Sequence, residues 1–255
     1  MGVKRATKKN RRDFLQKAML VVLGGLYALR PSRPARAAVE KLRKKKVRLG
    51  MVIDTRRCIG CRACTIACKQ ENKTPPGVYY MQVLEQEAGE YPNVMRSLMP
   101  KPCYHCENPS CVKVCPTRAT YKREEDGIVV IDYDKCIGCR YCITACPYGA
   151  RYFDFGEYYH EGESILDQLV SPEYGENRGR AGLQPPVGCT RKCTFCLHRL
   201  EQGLLPACVT TCMTRALHFG DLNDPESEVS RLLKERKGIR PKEELGNEPN
   251  VYYLY

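Results

Sequence analysis

Apolar positions in this chain come in short bursts and not in long periodic stretches. Val78–Leu84, Ile128–Ile131 and Arg151–Phe155 read as brief β-strands. They flank runs of cysteine, and each cysteine run ends in a sequence that predicts a brief helical turn. Residues 156–188 interrupt this rhythm with Gly, Pro and acidic residues around Ser164–Val170. That composition predicts a surface excursion with a turn or two of helix. Further on, Asp224-Pro225 predicts a helix start, Val229, Leu232 and Leu233 its apolar face, and Gly238 its stop. Val251–Tyr255 is apolar and aromatic enough for a strand docked on this chain or on a partner. Short strands mixed with helical turns make the expected class α+β.

Composition changes the picture of the interior. Among 255 residues there are 17 Cys, 5 Phe and no Trp. Something other than side chains must fill such a core. By spacing, the cysteines fall into four groups: Cys58, Cys61, Cys64, Cys68; Cys103, Cys106, Cys111, Cys115; Cys136, Cys139, Cys142, Cys146; and Cys193, Cys196, Cys208, Cys212, with Cys189 left over. The first and third nearly repeat each other, Cys-Ile-Gly-Cys-Arg at 58–62 against 136–140, each following Val-Ile-Asp (52–54 and 130–132). The second and fourth rhyme as well: Pro109-Ser-Cys-Val-Lys-Val-Cys-Pro-Thr-Arg-Ala119 matches Pro206-Ala-Cys-Val-Thr-Thr-Cys-Met-Thr-Arg-Ala216. A chain duplicated over about 50–120 and 128–217 is the expectation.

The formal charge of +13 belongs mainly to residues 1–37, which hold ten Lys/Arg against Asp13. That stretch runs from Arg11-Arg12-Asp13-Phe14-Leu15 through an apolar Ala18–Leu29 to Ala35-Arg36-Ala37, the layout of a cleavable export signal. Its Arg-Arg-x-Phe-Leu core resembles the twin-arginine type, which carries folded proteins. A bilayer span needs about 20 apolar residues, more than this run provides. The expectation is a periplasmic chain, peripheral, attached to a membrane only through a partner. The rest of the chain is only mildly basic, and four clusters with about −2 each would reverse that. Nucleic acid is therefore not an expected partner. Export of 17 cysteines ordinarily suggests disulfides; export after folding instead lets metal clusters be inserted in the reducing cytoplasm.

Cys-x2-Cys-x2-Cys-x3-Cys sets three thiolates on one tight loop around three corners of a cube and sends the fourth to a neighbouring cluster. Structural zinc more often uses two separated Cys-x2-Cys pairs. A three-cysteine run with an offset fourth fits iron–sulfur better. No nucleophile–base pair, phosphate loop or paired-carboxylate motif stands out, so no catalytic residue is expected.

These spacings, together with Lys192-Cys-Thr-Phe-Cys-Leu-His-Arg-Leu-Glu-Gln-Gly-Leu-Leu-Pro-Ala-Cys-Val209, resemble the four-cluster iron–sulfur subunit of complex molybdopterin oxidoreductases, of the dimethyl sulfoxide, polysulfide and tetrathionate reductase type. The resemblance covers most of residues 50–220. It implies a duplicated bacterial-ferredoxin-like fold of two 2×4Fe-4S units, with an insertion and a C-terminal extension. The expected division of the chain is an export signal (1–37), a ferredoxin-like first half with the third cysteine group (38–155), the insertion (156–188), the fourth group (189–222) and a helix and tail (223–255). The resemblance implies four 4Fe-4S clusters with crossed ligand sets: Cys58, Cys61, Cys64 and Cys212; Cys193, Cys196, Cys208 and Cys68; Cys103, Cys106, Cys111 and Cys146; Cys136, Cys139, Cys142 and Cys115. The implied partners are a large molybdenum or tungsten pterin subunit and an integral membrane quinol subunit, with tetrathionate or polysulfide as substrate class and nitrite reduction as the next. Met213 and Lys69 stand where proline often follows the last cysteine, and neither removes a ligand. Arg62, Arg140, His105 and His198 tune potentials or are solvated surface charge. His160 and His218 lack visible partners, and Cys189 reads as a free thiol beside the register. A freely diffusing polyferredoxin, or an enzyme with chemistry at an open iron site, are the rival classes.

Overall fold

The computed structural model describes residues 47–159, 170–173, 176–178 and 184–255. The expected export signal, His160 and Ser164–Leu169 lie outside the described residues. In chain order the strands are β1 (Leu49–Asp54), β2 (Gln82–Ala88), β3 (Met95–Lys101), β4 (Thr120–Lys122), β5 (Val129–Ile131), β6 (Tyr152–Phe153), β7 (Ser171–Glu173), β8 (Glu176–Arg178), β9 (Thr190–Arg191), β10 (Leu217–Asp221) and β11 (Val251–Leu254). The α-helices are α1 (Ala63–Asn72), α2 (Ser110–Lys113), α3 (Tyr141–Thr144), α4 (Leu197–Leu200), α5 (Ala207–Thr211) and α6 (Glu228–Glu235). The content is α+β. No helix among the described residues is long and apolar enough to cross a membrane.

Met51, Val52 and Ile53 of β1 are all fully buried because both faces of that strand are covered. Alternation sends Met51 and Ile53 into a core shared with Cys64, Cys68, Tyr104 and Phe195, while Val52 meets Val229 of α6 and Leu254. On one edge β10 runs antiparallel, with Leu49 opposite Asp221; on the other β11 runs parallel, with Met51 opposite Val251. The terminal Val-Tyr-Tyr-Leu is thus docked on this chain. The tail also holds the second cysteine loop: Asn250 donates its N–H to Tyr104 O at 2.9 Å and its Nδ2 to His105 O at 2.7 Å, and Asn247 Oδ1 accepts from Ser110 N at 3.0 Å.

The remaining sheets have two strands each: β2 with β3, β4 with β5, β6 with β9 and β7 with β8. Two strands alone are marginal in water, so these ribbons depend on the core beneath them. That core is threaded with thiols: Cys64, Cys68, Cys193 and Cys208 are buried within it, and Cys103, Cys106, Cys146 and Cys212 pack at its edge.

Several local expectations shift. Val78, Tyr80 and Met81 are buried but are not strand, and β2 starts only at Gln82. The Val78 carbonyl is taken instead by the Lys69 ammonium at 3.0 Å, which also bonds Pro75 O at 3.1 Å. α1 runs ten residues where a brief turn was expected. Lys69-Gln-Glu-Asn after Cys68 continues a helix, whereas Pro116 and Pro147 follow Cys115 and Cys146 at once. α6 starts after Ser227, whose Oγ accepts from Ser230 N at 3.3 Å; Asp224 Oδ1 accepts from Glu226 N at 3.2 Å in the turn before it. The insertion returns to the core at β7. There Ser171 Oγ donates to Asn72 O at 2.9 Å and accepts from Arg191 Nη2 at 2.7 Å.

Candidate cluster-binding sites

The first and third cysteine loops share one backbone design. After β1, Asp54 Oδ1 accepts from Arg56 N at 3.2 Å; after β5, Asp132 Oδ1 accepts from Asp134 N at 3.0 Å. Gly60 and Gly138 then turn with φ of +71° and +68°, and Arg62 and Arg140 follow in the left-handed region at 58° and 60°. At Gly138 a side chain would run into the Gly188 carbonyl, so the residue serves both the turn and a close approach. The loops lead into α1 and α3, which start after Arg62 and Arg140.

The second and fourth groups end alike too. α2 and α5 each begin after a proline, Pro109 and Pro206. Beyond them Thr120 N reaches Cys115 Sγ at 3.4 Å and Ala216 N reaches Cys212 Sγ at 3.3 Å. Each of these ends is bonded to the loop start of a different group. Asp54 N donates to Ala216 O at 2.8 Å, and Asp132 N donates to Ala119 O at 2.7 Å. The first group is thereby joined to the fourth, and the third to the second.

Side chains follow the backbone. Cys58 lies within electrostatic reach of Cys61, Cys64 and Cys212, and Cys64 of Cys212; Cys68, Cys193, Cys196 and Cys208 lie within reach of one another. Cys103, Cys106, Cys111 and Cys146 line a single pocket. Cys115 and Cys136 pack with Cys189 against Ala119, Ile131 and Tyr133; Cys142 is buried and Cys139 exposed in the same loop as Cys136.

Burial, with the repulsion of neighbouring thiolates behind it, raises the pKa of Cys64 to about 11 and of Cys193 to about 12, and holds Cys68 and Cys208 well above the ordinary thiol value. Four such sulfurs ionise together only around compensating positive charge. Cys136 goes the other way, to about 5, because the Cys189 thiol hydrogen-bonds to it and outweighs burial. Burial also works to raise Cys115, but the Thr120 N–H and the Thr117 hydroxyl prevail and lower it.

Polar groups aimed at these sulfurs complete the fit. Arg151 Nη2 donates to Cys111 Sγ at 3.0 Å, and Asn72 Nδ2 lies 3.5 Å from Cys68 Sγ and 3.7 Å from Cys196 Sγ. His105 is buried, its ring 3.9 Å from that of Phe195. Its Nδ1 accepts from Val129 N at 3.1 Å, so its proton is on Nε2, turned toward the Cys193 backbone. Clustered thiols of high pKa and N–H groups bonded to sulfur fit a cofactor with sulfur acceptors and a positive core.

Of the other residues singled out in the sequence, Arg62 and Arg140 are exposed, Arg140 lying 4.5 Å over the Phe153 ring. His105 is not solvated surface, and His198 Nε2 pairs with Glu71 Oε1 at 2.9 Å. His218 does have a partner: Glu228, one residue into α6, brings Oε1 to 2.9 Å from its Nδ1. Cys189 is buried, its Sγ 3.8 Å from Tyr133 O and 3.7 Å from Cys136 O. Asn72, Arg151 and Lys192 were missed, since no spacing marks a lone polar residue as one that will face sulfur.

Residues 57–119 match a family model described as a 4Fe-4S dicluster domain, and residues 94–160 with 184–222 match a second model of the same description. A selenate reductase subunit of Mesobacillus selenatarsenatis is 58% identical over 80% of this chain and 70% of its own length. An arsenate respiratory reductase iron–sulfur subunit of Shewanella is 40% identical over 82% of this chain and 96% of that protein. The chain belongs to this family of reductase iron–sulfur subunits. A polysulfide reductase protein of Wolinella succinogenes is 41% identical over 80% of this chain and 93% of its own length, and a further relative is a tetrathionate reductase subunit of Salmonella typhimurium. As a member of the family the chain is an electron-transfer subunit, and its cofactors are four 4Fe-4S clusters.

Proposed function

We propose that this chain relays electrons along four clusters in line, between a membrane quinol subunit and a molybdenum or tungsten pterin subunit that reduces an oxidised sulfur or selenium compound. A bound 4Fe-4S cluster takes up and returns one electron. The chain's contribution is to fix the sites in series. The crossed hydrogen bonds Asp54 N to Ala216 O and Asp132 N to Ala119 O carry this reading. They support ligand sets of Cys58, Cys61, Cys64, Cys212 and of Cys136, Cys139, Cys142, Cys115, with Cys103, Cys106, Cys111, Cys146 and Cys68, Cys193, Cys196, Cys208 between. The same crossing, repeated at matching positions, supports descent from a duplicated half.

Proximity supports one order. Cys64 acts on Cys68, Cys103 on Cys193, and Arg151 feels both Cys111 and Cys142. The two outer sites are also the open ones: Cys61 and Cys139 are the exposed cysteines, beside Ile59 at 60% and Ile137 at 68% exposure. Those matching loops are the faces through which we propose that electrons enter and leave. The selenate, polysulfide and tetrathionate reductase relatives support the substrate class, and the Arg11-Arg12 leader supports assembly at the periplasmic side of the membrane.

Anaerobic affinity purification from host membranes, with iron, molybdenum and tungsten quantified, tests the reading. Copurification of a large molybdenum or tungsten protein with about sixteen irons per chain is expected. A full-iron chain that always purifies alone would favour a diffusing polyferredoxin and contradict the relay.

A further inference from the structure

Two cations in the middle of the relay carry charge that no acidic side chain among the described residues balances. Arg151 is 4% exposed and Lys192 1%. Arg151 donates to Cys111 Sγ at 3.0 Å and to Thr120 Oγ1 at 3.3 Å. Lys192 Nζ donates to the Val129 carbonyl and, at 2.6 Å, to that of Cys193. Neither has a carboxylate partner among the described residues. Arg191, the neighbour of Lys192 in sequence and equally buried, shows the contrast, since Asp154 Oδ2 sits 2.9 Å from its Nη1.

A buried cation held only by neutral acceptors is strongly unfavourable unless negative charge lies close by. The charges available here are cysteine sulfurs. Arg151 faces Cys111, Cys142 and Cys103, and Lys192 faces Cys111 and Cys193. The set Cys103, Cys106, Cys111, Cys146 is the one that both cations reach. His105 adds no third charge there: burial first, then the two cations, hold its imidazole neutral. A weaker third cation does stand nearby, for Lys101 Nζ donates to Tyr148 O at 3.1 Å and Gly149 O at 3.2 Å and feels Cys146. At the outer sites Arg62 and Arg140 are exposed, where water and salt screen them.

We propose that Arg151 and Lys192 are fixed counter-charges that give the cluster of Cys103, Cys106, Cys111 and Cys146 the highest reduction potential of the four. Gain of an electron makes a site more negative, and positive charge in a water-poor surrounding favours that state. An interior site with both cations is then where an electron rests, and the relay is a well between two higher steps. The inference rests on the ligand sets proposed above.

The test is an anaerobic redox titration read by electron paramagnetic resonance on the chain within its complex, with Cys106→Ser marking which signal belongs to this site. In the parent, the marked signal is expected to have the highest midpoint. Arg151→Met should move that midpoint down, with smaller changes at the neighbours, and Arg151→Lys should restore most of it. Lys101→Met, at a half-exposed position that threatens the fold less, should move the same signal in the same direction by less. If Arg151→Met does not load iron, Lys101→Met and Arg151→Lys decide. A parent with about sixteen irons per chain whose marked signal is not the highest, or whose midpoint ignores these substitutions, overturns the inference alone. A parent with far fewer irons sinks the four-cluster reading and the inference with it.

Discussion

Asp154→Ala tests the buried polar frame that ties β7 to α1. The carboxylate of Asp154 and the guanidinium of Arg191 are both fully buried and 2.9 Å apart. Arg191 continues to Ser171 Oγ at 2.7 Å and Tyr80 OH at 3.0 Å, and Ser171 bonds Asn72 O, whose side chain faces Cys68 and Cys196. Removing one member of a buried pair costs about 3–5 kcal/mol, whereas replacing both with apolar groups is often near neutral. Because Arg191 keeps two oxygen acceptors, the lower end, about 3 kcal/mol, is expected. The pair joins segments distant in the chain, so most of that loss should appear as faster unfolding, roughly a hundredfold. Unfolding of a cofactor-loaded chain is not a reversible two-state process, which makes the rate the proper observable. A guanidinium jump on the holo chain under argon, followed by cluster absorbance and far-ultraviolet circular dichroism, measures it. Arg191→Met alone should be as damaging, and the double variant should lie within about tenfold of the parent. An Asp154→Ala chain that unfolds at the parent's rate, or a double variant that is simply additive, refutes the reasoning.

Three further outcomes are expected. Cys146→Ser should perturb the same paramagnetic signal as Cys111→Ser, and Cys115→Ser the same signal as Cys142→Ser; perturbation that follows sequence order instead would contradict the crossing of the second and third groups. Deleting residues 247–255 removes Tyr253, a fully buried aromatic whose loss alone costs about 3–5 kcal/mol, and the Asn250 bonds to the second cysteine loop; full iron retention by the shortened chain would show that the tail does not hold that loop. Burial tends to raise the pKa of Asp54, but its hydrogen bond to Arg236 and the charge of that residue lower it overall. Its stabilisation is therefore complete above the ordinary aspartate range and is lost as pH falls through the lowered value. Asp54→Asn, which keeps the turn cap, should unfold faster than the parent at pH 7, with the gap closing in acid; a gap independent of pH would show that Arg236 contributes nothing.

Much of this was legible in the sequence because cysteine spacing is set by bonding geometry and not by packing. Cys-Ile-Gly-Cys-Arg occurs twice, and both copies fold with the same glycine and arginine torsions. The terminal strand and the apolar face of α6 were legible too, since Val251, Tyr253, Leu254 and Val229 are buried and Leu232 and Leu233 pack against Val52, Val229 and Leu254. The illegible features are those that depend on distant partners. Lys69 takes the Val78 carbonyl and delays β2. Glu228 finds His218 only because α6 packs on β10. No spacing marks Asp154 and Arg191 as a pair, which forms only where β6 and β9 come together. Arg151 and Lys192 look like ordinary basic residues, and only burial without a carboxylate sets them apart.

The central claim is that four cubane clusters occupy the crossed cysteine sets of one chain. Iron, acid-labile sulfide and zinc should be counted in the anaerobically purified protein, with spins integrated after full reduction. About sixteen irons, sixteen sulfides and four mutually interacting spins per chain are predicted. Zinc in place of iron, or about eight irons with two isolated spins, would contradict the account.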